Sequence, residues 1–233
     1  MVLLGALVNG ITVIFGTLLG RLLRRIPESM KTTVMNAIGL AIIVLGIQMG
    51  FKSNNFLIVI LSLVIGAVIG ELISLEDKFT RVGNWLEKTI GSNEPGSISQ
   101  GFITASLVFV VGAMGILGAL DSGIKGNHDI LYTKAIMDGF ISIILTTTLG
   151  IGVMFSAIPI ILYEGAIALF ATQISRFMPD ELLNQCIAEL TATGGIMIAA
   201  IGFNLLGMTK IKVANLIPGI VVAVLMVAGL YIF

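Results

Sequence analysis

The sequence predicts an all-α membrane protein: a polytopic bundle of about eight transmembrane helices with an inverted internal repeat. Three features support this prediction: an apolar composition, long hydrophobic runs, and a stretch near the front that returns near the end. Hydrophobic residues make up 57% of the 233 residues, charged residues only 11%, and the mean hydropathy is +1.08. Because soluble domains carry about 25% charged residues, we expect the lipid bilayer to surround this chain.

Eight apolar runs approach the roughly 20 residues that a helix needs to cross the hydrocarbon core. They cover residues 2–20, 33–50, 56–73, 101–120, 136–156, 158–177, 191–208 and 214–233. Proline must end or begin a helix, so Ser156–Pro159 either separates two spans or breaks one. A seven-helix arrangement with one re-entrant segment is the alternative. Segment 75–91 has apolar residues at helical spacing and is expected to lie in the membrane interface.

The internal repeat pairs the first three spans with the last three. Gly39 and Gly46, seven apart, correspond to Gly195 and Gly202, and Asn9 corresponds to Glu164 at an offset of 155. Residues 1–73 thus form repeat A and 158–233 repeat B, with central helices 101–156, in one membrane domain covering 1–233. An offset of five helices turns the second copy upside down in the membrane. A weaker match aligns Gly112 with Gly150 in the central helices.

The distribution of basic residues predicts the orientation. Loops after spans one, three, five and seven hold nine Lys and Arg, including Arg21, Arg24 and Arg25. The opposite loops hold four: Lys52, Lys125, Lys134 and Arg176. Since cytoplasmic loops are enriched in positive charge, both termini are expected outside.

Composition also argues against several functions. The net charge is zero and the basic residues are scattered, which disfavours nucleic-acid binding. A single cysteine (Cys186) and a single histidine (His128) predict neither an intrachain disulfide nor a metal site. Hydrolase, nucleotide-binding and metalloprotease motifs are absent, so no enzyme activity and no cofactor are expected.

Glu164 is the leading candidate for a substrate- or ion-binding residue. A carboxylate inside a membrane helix costs roughly 2.5–3.5 kcal/mol unless it is paired, hydrated or protonated. We therefore expect Glu164 to face the protein interior near Asn9 and to line a polar cavity with Thr146, Thr147 and Thr148. The alternative is that span six begins later and leaves Glu164 at the membrane surface.

Other polar residues have both a structural and a functional interpretation. Asp138 is interpreted as an acid in the first turn of span five, or as a guard of an outer mouth. Gln48 and Asn204 are expected either to share an interhelical hydrogen bond or to contact a ligand. The three threonines could instead bond carbonyls of their own helix. Glycines mostly predict close helix packing, while Gly112–Gly118 and Thr193–Gly195 are candidate helix breaks.

Several motifs together resemble the YdfK/YqgA family of small multi-pass bacterial membrane proteins of undefined function. They are Leu107–Met114, Asp138–Gly139, Leu149–Val153, Ser156–Pro159, Gly194–Gly195, Ile201–Leu206 and Lys210–Asn215. The resemblance covers nearly the whole chain and implies a multi-pass protein of the bacterial cytoplasmic membrane. It assigns no functional residues.

The favoured function is a small secondary transporter or channel-like protein for a small solute or ion, with alternating access through the inverted repeat. Glu164 and Asp138 would couple a proton or cation. The competing hypothesis is a non-transporting structural, lipid-binding or regulatory membrane protein, whose glycine-rich helix faces could assemble a homo-oligomer.

Overall fold

The computed structural model describes residues 1–22, 28–90 and 97–232; Arg24 and Arg25 of the basic loop lie outside this range. The described residues are largely helical and contain no strand, which confirms the predicted all-α class. Their ten α-helices are α1 (Leu4–Leu22), α2 (Glu28–Gly50), α3 (Phe56–Leu72), α4 (Leu75–Ile90), α5 (Ser97–Val110), α6 (Ala113–Lys125), α7 (Asp129–Leu149), α8 (Ala157–Phe177), α9 (Asp180–Leu205) and α10 (Pro218–Ile232).

Five helical stretches among the described residues are long and apolar enough to cross a membrane, and up to seven are if each of two sharply bent helix pairs is one span. The bent pairs are α3 with the start of α4, at 62°, and α5 with α6, at 61°. The bundle of membrane helices is therefore as predicted, while the count of eight stays a prediction. Helix α4 occupies the predicted interfacial segment and leaves Trp85 64% exposed.

The chain divides by its contacts into two compact units. Unit 1 comprises Met1–Val34, Thr80–Val110 and Met114–Phe177, and unit 2 comprises Met35–Phe79, Val111–Ala113 and Met178–Phe233. Unit 1 thus contains α1, most of α4, α5, nearly all of α6, α7 and α8, whereas unit 2 contains α3, α9, α10 and most of α2.

In unit 1, α1 and α7 run in the same direction at close range. Near the start of α1, Gly5 lies against Leu131. Fifteen residues later, Gly20 lies against Thr146. The two helices therefore keep one register along their length, and glycines let their backbones approach closely.

Helix α8 runs against the direction of α1. Gly10 of α1 meets Ala157, the first residue of α8, whereas Leu3 meets Gly165 eight residues further along α8. The continuous stretch Asp129–Phe177 therefore reverses between α7 and α8. Gly150, with a φ of 76°, ends α7, and the 3-10 segment Gly150–Ser156 leads into α8. The reversal thus precedes Pro159 and separates the predicted fifth and sixth runs.

In unit 2, α2 and α9 are antiparallel and meet at two pairs of glycines. A Cβ added at Gly202 would lie 2.8 Å from the carbonyl oxygen of Gly39, and one added at Gly195 would lie 2.7 Å from that of Gly46. Helices α3 and α10 are also antiparallel and nearly touch at Gly66. These glycines therefore serve close packing within the chain.

The structure corrects several predicted helix boundaries. The predicted span 101–120 is broken into α5 and α6 at Gly112, whose φ of 152° cannot continue a helix. The second candidate break, Thr193–Gly195, is wrong, because α9 runs through it without interruption. Helix α9 also begins at Asp180 instead of 191, with Asp180 and Glu181 favourably placed in its first turn.

Candidate functional site

Three helices of unit 1 bring four polar side chains together in the interior. Asn9 comes from α1, Lys134 and Asp138 from α7, and Glu164 from α8. They are 0%, 6%, 5% and 1% exposed, respectively. The parallel packing of α7 and the antiparallel packing of α8 bring Asp138 and Glu164 to the same side-chain amide of Asn9. We call these four residues the charge cluster.

Hydrogen bonds and ion pairs connect all members of the charge cluster. The amide nitrogen of Asn9 donates to Glu164 Oε1 at 2.9 Å and to Asp138 Oδ2 at 3.1 Å. The ammonium of Lys134 is hydrogen-bonded to Asp138 Oδ2, one helical turn away, and lies 3.4 Å from Glu164 Oε1. The single cation thus lies between two carboxylates.

The charge cluster also contacts both halves of the broken helix. Lys134 Nζ donates at 2.7 Å to the carbonyl oxygen of Phe109, in the last turn of α5. That carbonyl has no partner within its own helix, since a helix leaves its last four acceptors unsatisfied. In the first turn of α6, a Cβ added at Gly115 would lie 3.6 Å from Glu164 Oε1. The absence of a side chain there leaves room beside the carboxylate.

A family described as protein of unknown function (DUF554) matches residues 4–228. The chain belongs to this family. Among curated proteins of similar sequence, the uncharacterized membrane protein YdfK of Bacillus subtilis (strain 168) is 30% identical over 234 residues, covering 98% of this chain and 97% of YdfK. The uncharacterized protein YqgA of Escherichia coli (strain K12) is 28% identical over 225 residues, covering 94% of each chain. No solved structure matches.

These sequence identities confirm the predicted resemblance to YdfK and YqgA, and the family match covers nearly the whole chain. Together with the apolar helices, it establishes a membrane protein of unknown function. Both relatives are themselves uncharacterized, so the similarity assigns no role to the charge cluster.

The predicted contact between Glu164 and Asn9 is present, and Glu164 is buried. Helix α8 begins at Ala157 and not later, as the alternative supposed, whereas the depth of Glu164 in the membrane stays a prediction. Asp138 was expected in the first turn of its helix, but α7 begins at Asp129, so Asp138 lies in the third turn and is buried. Its burial is explained by Lys134, which neutralises it at i,i+4 spacing.

Lys134 is the member of the charge cluster that the sequence analysis missed, because it was assigned to a loop. Extending α7 back to Asp129 places it inside the helix. The i,i+4 spacing to Asp138 was the signal that could have revealed it.

The remaining candidate residues lie apart from the charge cluster. Thr146, Thr147 and Thr148 donate to carbonyls of their own helix, so the structural interpretation of these hydroxyls is correct. Gln48 is exposed. The side chain of Asn204 bonds Thr209 and Ile211 in the loop after α9, not Gln48.

A second buried carboxylate, Glu189 of unit 2, was also missed because α9 begins earlier than predicted. Its oxygens accept hydrogen bonds from the Ser53 hydroxyl at 2.6 Å and from the backbone amides of Asn54 and Asn55 at 2.8 and 3.0 Å. Glu189 therefore anchors the chain just before α3. It borders a cavity of about 350 Å³, lined also by Asn54, Asn55, Ile58, Gln185, Val227 and Leu230.

Proposed function

We propose that this protein is a small secondary transporter or channel-like protein for a small solute or ion, with the charge cluster as its ion-coupling site. The observation that carries the proposal is the burial of Lys134, Asp138 and Glu164 together beside the end of a broken helix. Ionisable groups inside membrane helices are expensive and mark ion pathways and proton relays. Broken helices expose backbone carbonyls and amides where transporters bind substrates and coupling ions.

The contacts within each unit support an inverted repeat. In unit 1, Asn9 and Glu164 occupy corresponding positions of the two repeats and are hydrogen-bonded to each other across antiparallel helices. Direct contact between equivalent residues is expected close to a two-fold axis.

The glycine pairs of unit 2, taken by themselves, also show a two-fold exchange. Exchanging the repeats converts the contact of Gly39 with Gly202 into the contact of Gly195 with Gly46, and both contacts are present. Two such copies can exchange conformations, so that a site between them opens to each side of the membrane in turn. Such a protein moves its substrate without chemical change, and we propose no enzymatic activity.

The non-transporting alternative receives less support. It depended on glycine-rich helix faces being free to assemble oligomers, yet Gly16, Gly20, Gly46 and Gly66 all pack against helices of the same chain. A purely structural protein would also gain nothing from burying charges, since apolar residues of similar volume are often as stable or more stable.

The test is transport by purified protein reconstituted into liposomes, measured as transient currents on a solid-supported membrane. The probes are amino acids, sugars, small carboxylates, Na⁺ and K⁺, each added separately. We expect a current with at least one probe class and a large decrease in the Asp138→Asn variant. Asp121→Asn is the matched control, because Asp121 also pairs with a lysine at i,i+4 spacing, but Lys125 is exposed. No current above that of protein-free liposomes with any probe would contradict the proposal.

A further inference from the structure

With all its ionisable groups charged, the charge cluster has a net charge of minus one. Asp138 and Glu164 contribute two carboxylates and Lys134 one ammonium, while Asn9 is neutral. In the part of the chain that the structure describes, no second basic side chain lies within ion-pair distance of either carboxylate. Lys134 Nζ is hydrogen-bonded to Asp138 Oδ2, whereas it forms only a longer ion pair, at 3.4 Å, with Glu164 Oε1. The uncompensated charge therefore belongs to Glu164.

Two buried oxygens in the charge cluster have no hydrogen-bond partner. They are Glu164 Oε2 and Asn9 Oδ1. The orientation of the Asn9 amide follows from its neighbours, because both atoms within reach of Nδ2 are carboxylate oxygens, which accept. Both unpaired atoms are therefore acceptors as well. The charge cluster therefore lacks one positive charge, and two of its buried acceptors lack a hydrogen-bond donor.

A single proton bound to Glu164 would supply both the missing positive charge and the missing hydrogen-bond donor. A carboxamide and a carboxylic acid pair through two hydrogen bonds, one from the amide N–H to the acid carbonyl and one from the acid O–H to the amide carbonyl. The first of these is present, from Asn9 to Glu164 Oε1. The two atoms needed for the second are the two that have no partner.

We propose that Glu164 is a proton-binding site and that Asn9 recognises its protonated form. The proton binds Oε2, whose O–H then donates to Asn9 Oδ1, and the charge cluster becomes neutral. A metal cation fits less well, because these two oxygens are far fewer than the six or more that hard cations prefer, and Lys134 lies nearby. Among the described residues, the other titratable groups at the site are Lys134 and Asp138 on α7 and Tyr163, which borders Gly115 of α6.

Proton release would alter the end of α5. With Glu164 ionised, Lys134 is attracted by two carboxylates, and its bond to the Phe109 carbonyl is weakened. The proton leaves Oε2 for water and Lys134 stays charged throughout. Protonation of Glu164 is thereby linked to the strength of the hydrogen bond at the end of α5, just before the helix break at Gly112. This coupling step rests on the proposed transport function, whereas proton binding by Glu164 does not.

Infrared difference spectroscopy of the full chain in liposomes tests proton binding directly. We expect a carboxylic-acid C=O band that disappears in a single-proton step as the pH rises, is missing in Glu164→Gln, and shifts to higher frequency in Asn9→Leu. Glu189→Gln is the matched control and should leave the band unchanged, because Glu189 is equally buried but already accepts three hydrogen bonds.

Three results would overturn the proposal: no such band at any pH, a band that persists in Glu164→Gln, or a band abolished by Na⁺ at constant pH, which would indicate a metal cation instead. A flux assay separates the coupling step from proton binding. The Glu164→Gln amide can form both hydrogen bonds with Asn9 but binds no exchangeable proton, so any solute flux that remains in this variant should no longer respond to a pH gradient. If the band behaves as expected but no flux is found, the proton site stands and the transport function fails.

Discussion

Replacing Lys134 by methionine should destabilise this protein more than any change of an exposed charge. Methionine keeps a flexible side chain of similar length but removes the ammonium that is hydrogen-bonded to Asp138 and to the Phe109 carbonyl. Removing one partner of a buried ion pair leaves an uncompensated charge and costs about 3–5 kcal/mol. We therefore expect the free energy of unfolding to fall by that amount.

Unfolding can be followed by circular dichroism during titration of detergent-solubilised protein with SDS, compared at the transition midpoint. The matched control is Lys125→Met, which breaks a 2.7 Å ion pair to Asp121 in which the lysine is 72% exposed. Its effect should be small, because exposed ion pairs contribute little.

A second substitution distinguishes lost charge balance from lost packing. Asp138→Leu in the Lys134→Met background removes the stranded carboxylate, and apolar replacement of a whole buried pair is often neutral. The double variant should therefore regain much of the lost stability. Equal losses for Lys134→Met and Lys125→Met, or a double variant less stable than Lys134→Met alone, would refute the electrostatic account of the charge cluster.

Three further predictions concern other parts of the chain. Glu189→Ala should lower the free energy of unfolding by about 1–3 kcal/mol, because it removes a buried, charged acceptor of three hydrogen bonds before α3; Gln185→Ala, bordering the same cavity, should cost less, and equal thermal shifts would argue against the anchor. Gly46→Leu should destabilise by at least about 1–3 kcal/mol through overpacking against α9, whereas Gly229→Leu, with open space around its Cβ, should have little effect in the same assay. A cysteine at Lys210, in a background without the native thiol, should resist an impermeant maleimide in intact cells, because its loop is predicted to be cytoplasmic; ready labelling would reverse the orientation.

The sequence alone was sufficient for the all-α membrane class, the family and the contact between Asn9 and Glu164. Membrane helices follow from local composition, since about 20 apolar residues suffice to cross the bilayer whatever their neighbours do. The repeat then linked two positions 155 residues apart, and hydrogen-bonding chemistry required a partner for the buried carboxylate. Glycine by itself did not decide where a helix breaks: Gly112 has a backbone conformation that only glycine adopts easily, whereas α9 runs through Gly194 and Gly195 without interruption.

Only the tertiary structure decided which charged residues are buried. Hydropathy alone predicts that Lys134 and Glu189 lie in loops, because burying an isolated charged side chain in a membrane helix costs free energy. Both lie within buried helix faces, since Asp138 neutralises the lysine and backbone amides before α3 satisfy the glutamate. Partner groups elsewhere in the fold offset the free-energy cost of burying these charges. Local hydropathy contains no information about such tertiary contacts. Tertiary contacts also decided which polar residues share a site. The charge cluster formed where α1, α7 and α8 meet, whereas Thr146 of α7 donates to a carbonyl of its own helix.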